Sequence, residues 1–137
     1  MEQALIDYIM DQRKEAEEFS KQPNCWMGMM PHPDDTEYWA QRCPSGTLKE
    51  FNRIELEEDA YYCIADAYSK SFARSLNLSE MSDEELKAEI DSACEHMDNE
   101  RKFYEEEERK AKEEEAKLAE SLGIDVPTLQ RWIKEAA

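Results

Sequence analysis

Residues 82–104 read SDEELKAEIDSACEHMDNERKFY, and this stretch decides the fold class. Leu86, Ile90, Ala93, Met97 and Tyr104 recur at the spacing that lines up one face of an α-helix. Ser82 with Glu85 three residues later forms a capping box, in which the hydroxyl takes an orphan amide and the carboxylate reaches back. Met81 and Leu86 are placed as a hydrophobic staple across it. Beyond Asp98 the chain becomes almost wholly charged, DNERKFYEEEERKAKEEEAK. Glu105–Arg109, Glu106–Lys110, Glu108–Lys112 and Glu113–Lys117 lie one turn apart in the favourable order, each adding a few tenths of a kcal/mol. This predicts a long, protruding or edge-packed helix, with a coiled-coil arm as the alternative that its sparse apolar seam disfavours.

Upstream, Thr47 with Glu50 is a second capping box. Phe51, Ile54, Tyr61, Ala65, Tyr68, Phe72 and Leu76 then keep one face for about seven turns, widened by Tyr62 and Ile64. Residues 2–20 predict a further helix buried through Leu5, Ile9, Ala16 and Phe19. Glycine and proline cluster mainly in residues 21–46, KQPNCWMGMMPHPDDTEYWAQRCPSG. Its aromatic and methionine content predicts a loop packed over the helices as a lid, with a short helix from about Asp35 carrying Tyr38 and Trp39. Near the end, Gly123 breaks the charged helix and Pro127 opens a final one with Leu129, Trp132 and Ile133. The expected architecture is all-α: a helical hairpin or small bundle carrying the aromatic-rich loop, a long charged helix, and a C-terminal helix-turn-helix-like corner. The expected organisation is a core over residues 1–104 and an extension over 105–137.

The 137 residues carry 34 Asp and Glu against 17 Lys and Arg, a formal net charge of −17. A polyanion of this kind is repelled by nucleic acid and by anionic membranes and suits a basic partner surface. No apolar run approaches the ~20 residues that span a bilayer. No secretion signal is evident, so Cys25, Cys43, Cys63 and Cys94 read as thiols in a reducing cytoplasm.

Three constellations are candidates for function. The first is acidic: Glu80, Asp83, Glu84, Glu85, Glu89, Asp91 and Glu95 stand against Lys87 alone. Carboxylates in rows accept hydrogen bonds from arginines as phosphates do, so this face predicts docking to a basic, nucleic-acid-binding protein. The bland alternative is a solvated face helped at its start by the helix dipole. The second is the C-terminal corner, where Ala119, Gly123, Ile124, Thr128, Leu129 and Trp132 fall at helix-turn-helix positions. Thr128, Gln130, Arg131 and Lys134 would then face DNA, although the glutamate-rich helix before them opposes it. The third is an apolar surface of Trp26, Met27, Met29 and Met30, for which burial in the core is the commoner outcome. Cys25, His32 and Cys43, or Cys94 and His96, form no paired C-x-x-C unit, so no metal or cofactor is expected. His32 lies beside Asp34 and Asp35 but sits between two prolines, and no catalytic motif accompanies it.

Three stretches carry a resemblance. Asp66-Ala67-Tyr68-Ser69-Lys70-Ser71-Phe72-Ala73-Arg74 is followed by Leu78-Ser79-Glu80-Met81-Ser82-Asp83-Glu84-Glu85-Leu86, the acidic helix, and Thr128-Leu129-Gln130-Arg131-Trp132-Ile133. In this order they resemble a family of small acidic helical proteins of tailed bacteriophages, over roughly residues 34–137. The family's glycine and R-P-R after the aromatic residue are replaced here by Ala73-Arg74-Ser75-Leu76. The resemblance implies a phage accessory protein acting in a bacterial host cytoplasm. The expected function is non-enzymatic: binding of a basic host protein, as a nucleic-acid mimic that inhibits a defence or transcription factor. The alternatives are a DNA-binding regulator and a structural or assembly component, and a homodimer is among the expected states.

Overall fold

The computed structural model describes all residues, Met1–Ala137, and they form six α-helices with no strand. The helices are α1 (Gln3–Ser20), α2 (Thr36–Arg42), α3 (Leu48–Ala67), α4 (Lys70–Ser75), α5 (Asp83–Leu122) and α6 (Val126–Ala136). A single 3-10 turn, Leu78–Glu80, precedes α5. The all-α expectation holds. No helix is long and apolar enough to cross a membrane, and no disulfide links the four cysteines. The chain divides into two compact units, Met1–Ile90 and Asp91–Ala137, with the division inside α5.

In the first unit the core is built from Leu5, Ile9, Trp39, Cys43 and Phe51, with Tyr8, Met30 and Leu48 packed against it. Phe51 lies between two rings, with centroids 5.5 Å from Tyr8 and 5.9 Å from Trp39. Helix α2 delivers Trp39. Its start is fixed by Asp35, whose carboxylate accepts the Tyr38 amide at 3.3 Å, and the Trp39 indole N–H donates to the His32 carbonyl at 3.1 Å. Arg42 leaves the same helix and grips Glu58 and Glu55, the latter at 2.7 Å. These bonds to Glu58 hold its carboxyl below the usual glutamate range.

Thr47 starts α3 as expected, its hydroxyl accepting the Glu50 amide at 3.2 Å. The reciprocal half of the box goes elsewhere: the Glu50 carboxylate accepts from the Ser45 amide at 2.9 Å. A second cap comes from far away in sequence, because the Glu2 carboxylate accepts the Leu48 amide at 2.9 Å. The Glu2 amide in turn donates to the Gly46 carbonyl at 2.8 Å. Gly46 has φ +65, and a Cβ there would stand 3.1 Å from the Met1 Cα. The turn therefore needs glycine both for its left-handed backbone and for the close approach.

The expected seven-turn helix over residues 48–76 is two helices. Tyr68 leaves the helical region and Ser69 is extended, with its hydroxyl accepting the Phe72 amide at 3.0 Å. Serine offers the backbone this local alternative to helix and so favours an N-cap. Helix α4, α1 and the 3-10 turn all pack on α3. Of the expected stripe Phe51 and Ile64 are buried, joined by Ala60 and Ala67, while Tyr62, Tyr68 and Phe72 stay exposed.

The lid expectation needs correction. Trp39 is buried, but Trp26 is 81 % exposed, and Met27 and Met29 are also exposed. Only Met30 reaches the core. Residues 24–29 are held by backbone-centred contacts, such as the Met27 amide donating to the Ser20 hydroxyl at 3.0 Å, so nothing draws those side chains inward. Phe19 and Tyr104, expected to be buried, are exposed as well.

In the second unit the charged stretch of α5 pairs along its own surface. Lys112–Glu108 at 3.0 Å and Lys117–Glu113 at 3.5 Å form as expected. Glu105 instead meets Arg101 at 3.0 Å, and Arg109 bridges Glu106 and Glu113. Arginine's forked head reaches both one turn back and one turn on, and this sets the exchange of partners. Helix α5 ends at Gly123, φ +69, where the Ile124 amide reaches back to the Ala119 carbonyl at 3.1 Å. Asp125 then caps α6, accepting the Thr128 amide at 2.9 Å. This bond and the Thr128 hydroxyl hold the Asp125 carboxyl below its usual range. Leu129 and Ala119 are buried at the corner.

Candidate functional site

The start of α5 is assembled by one residue of α3. The Arg53 guanidinium donates to Asp83 at 2.7 Å, to Glu57 at 2.8 Å, and to the carbonyls of Leu78, Ser79 and Met81. Those carbonyls belong to the 3-10 turn and its exit, so a single planar cation closes the approach to α5. Ser82 completes the start, its hydroxyl accepting the Glu85 amide at 3.1 Å. Leu86, fully buried, anchors the first turns of the helix.

On this frame the predicted acidic residues take distinct positions. Asp83 is the one of the seven drawn into an ion pair, with Arg53. Its role is structural, which removes it from the expected docking set. Glu80, Glu84 and Glu85 are exposed and Glu89 half-exposed in the first unit. Within that unit Glu85 and Glu89 lie one turn apart on one flank of α5. In the second unit Asp91 and Glu95 are both exposed and likewise lie one turn apart. These carboxylates can accept hydrogen bonds from cations, and Lys87 beside them is exposed.

The C-terminal corner has the expected turn but a different surface. Thr128 is half-buried and its amide is spent on the cap, while Gln130, Arg131 and Lys134 are exposed. Beside them runs a groove of about 520 Å³ lined by Ala111, Glu114, Glu115, Leu118, Leu129 and Ile133, among others. Its apolar floor and glutamate edge do not suit phosphates.

His32 accepts the Asp34 amide at 3.1 Å within its own turn. No three His, Cys, Asp or Glu side chains converge as metal ligands. Arg42, Arg53 and Glu2 were not singled out by sequence. Each works across 13 to 46 residues of chain, and no local pattern signals such a partner. Comparison with known proteins gives no match among protein families, curated proteins or solved structures.

Proposed function

We propose that the protein is a non-enzymatic binding factor that engages a basic partner through the carboxylates of α5. One observation carries this reading. Glu84, Glu85, Glu89, Asp91 and Glu95 are left without a lysine or arginine partner, whereas the glutamates over 105–113 are largely neutralised by their own neighbours. Unneutralised carboxylates one helical turn apart, Glu85 with Glu89 and Asp91 with Glu95, are ready acceptors for arginines. The sharper form of the proposal is nucleic-acid mimicry, with inhibition of a nucleic-acid-binding defence or transcription protein. The phage resemblance supports a setting in the bacterial host cytoplasm.

The test is capture from a bacterial lysate on the immobilised protein, with elution by salt, beside a variant carrying Glu84→Lys, Glu85→Lys, Glu89→Lys and Asp91→Lys. The wild type should retain a basic protein that elutes as ionic strength rises. The variant should lose it with an unchanged circular dichroism spectrum. Equal retention by both would end the proposal. Duplex DNA should give no mobility shift with either; a salt-dependent shift would favour the Arg131 and Lys134 reading instead.

A further inference from the structure

We propose that the α5–α6 corner is a self-association surface whose occupant is the same corner of a second copy, related by a two-fold axis. This stands apart from the acidic-row reading and uses different residues. Helix α6 has eleven residues and buries only Leu129. A helix of that length is marginal without apolar cover. Yet Ile133 is 55 % exposed, and Leu118, which lines the groove with it, and Trp132 and Leu122 on the same two helices are about half exposed. Four large apolar side chains in one short corner exceed the scattered exposure of an ordinary surface.

The charges on the groove select the occupant. Its α5 wall ends in Glu114 and Glu115, and its α6 wall in Lys134. A foreign basic helix would satisfy the glutamates but set like charge against Lys134. A second copy answers both walls when the two-fold axis runs along the groove, because that operation sets each Lys134 opposite the other copy's Glu114 and Glu115. The same operation brings the two Ile133 and Leu118 surfaces together over the groove floor.

Sedimentation of the full chain over a rising concentration series tests this. The wild type should pass reversibly from monomer to dimer. Ile133→Asp should remain monomeric, with circular dichroism reporting whether α6 survives. Should that variant lose helix, the charge pair decides. Lys134→Glu should weaken the dimer at least about tenfold, and adding Glu114→Lys and Glu115→Lys should restore it. A wild type that stays monomeric throughout overturns the proposal, including one whose groove takes up a basic amphipathic peptide instead. So does a Lys134→Glu dimer as tight as the wild type's.

Discussion

Phe51→Ala is the most demanding single perturbation of the first unit. The ring is 2 % exposed and sits at the centre of the Leu5, Ile9, Trp39 and Cys43 cluster. Removing such a ring from a packed core costs about 3–5 kcal/mol, because lost transfer energy and an unfilled cavity add. Two ring–ring contacts, to Tyr8 and Trp39, vanish with it, and such pairs are worth about 0.5–1.5 kcal/mol each beyond area. The expected loss therefore lies in the upper half of the range, about 4–5 kcal/mol. A unit of 90 residues is stable by roughly 5–13 kcal/mol, so the variant approaches the threshold of folding. Urea unfolding is followed by fluorescence, for which Trp39 is the buried reporter, and by far-ultraviolet circular dichroism. Tyr62→Ala on α3 is the control: that side chain is 62 % exposed and should cost under about 0.5 kcal/mol. A Phe51→Ala loss below about 1 kcal/mol would show that the cluster is not the core, and the packing argument would fall.

Two further outcomes are expected. Ser69→Ala should cost about 1 kcal/mol by removing the cap that starts α4, while Ser71→Ala, exposed two residues on, should be nearly neutral; equal effects in urea titrations would deny the cap its role. Glu58 titrates below its usual value because Arg42 bonds its charged form. A depressed folded pKa gives stability that is present above the unfolded pKa and lost as pH falls through the folded one. The wild type's urea midpoint should therefore drop more steeply below about pH 5 than that of Glu58→Gln; parallel acid limbs would contradict the pairing.

The helices were legible wherever the signal was local. Thr47, Ser82, Gly123 and Pro127 announce their boundaries, because a cap or a left-handed turn is a matter of neighbouring residues. The break at Ser69 was equally local but was masked by the apolar spacing of Tyr68 and Phe72, which continues the helical period across it. The exposure of Trp26 was illegible for a different reason. Composition measures how much apolar surface a segment carries, not whether the fold offers room for it, and α2 filled that room with Trp39. The acidic row was visible as composition. What sequence could not show is which carboxylates would be neutralised: Asp83 is removed from the row by Arg53, thirty residues away.

The distribution of cations bears on what the remaining charge is for. Arg42 and Arg53 each hold two carboxylates within the first unit. Arg101, Arg109, Lys112 and Lys117 temper the glutamates around them. Each exposed pair is weak, because solvent screens it, but together they lower the field along that stretch. The dipole of α5 favours acid in its first turn, which accounts for Asp83, Glu84 and Glu85. Its influence fades within that turn, so it does not account for Glu89, Asp91 and Glu95, and the like-charge neighbours Glu85–Glu89 and Asp91–Glu95, each one turn apart, oppose the helix. Solubility does not call for them there either, since net charge keeps a chain dispersed wherever it is placed. A basic partner would convert that repulsion into binding energy, and this is why the row, rather than the total of −17, is the feature the functional reading rests on.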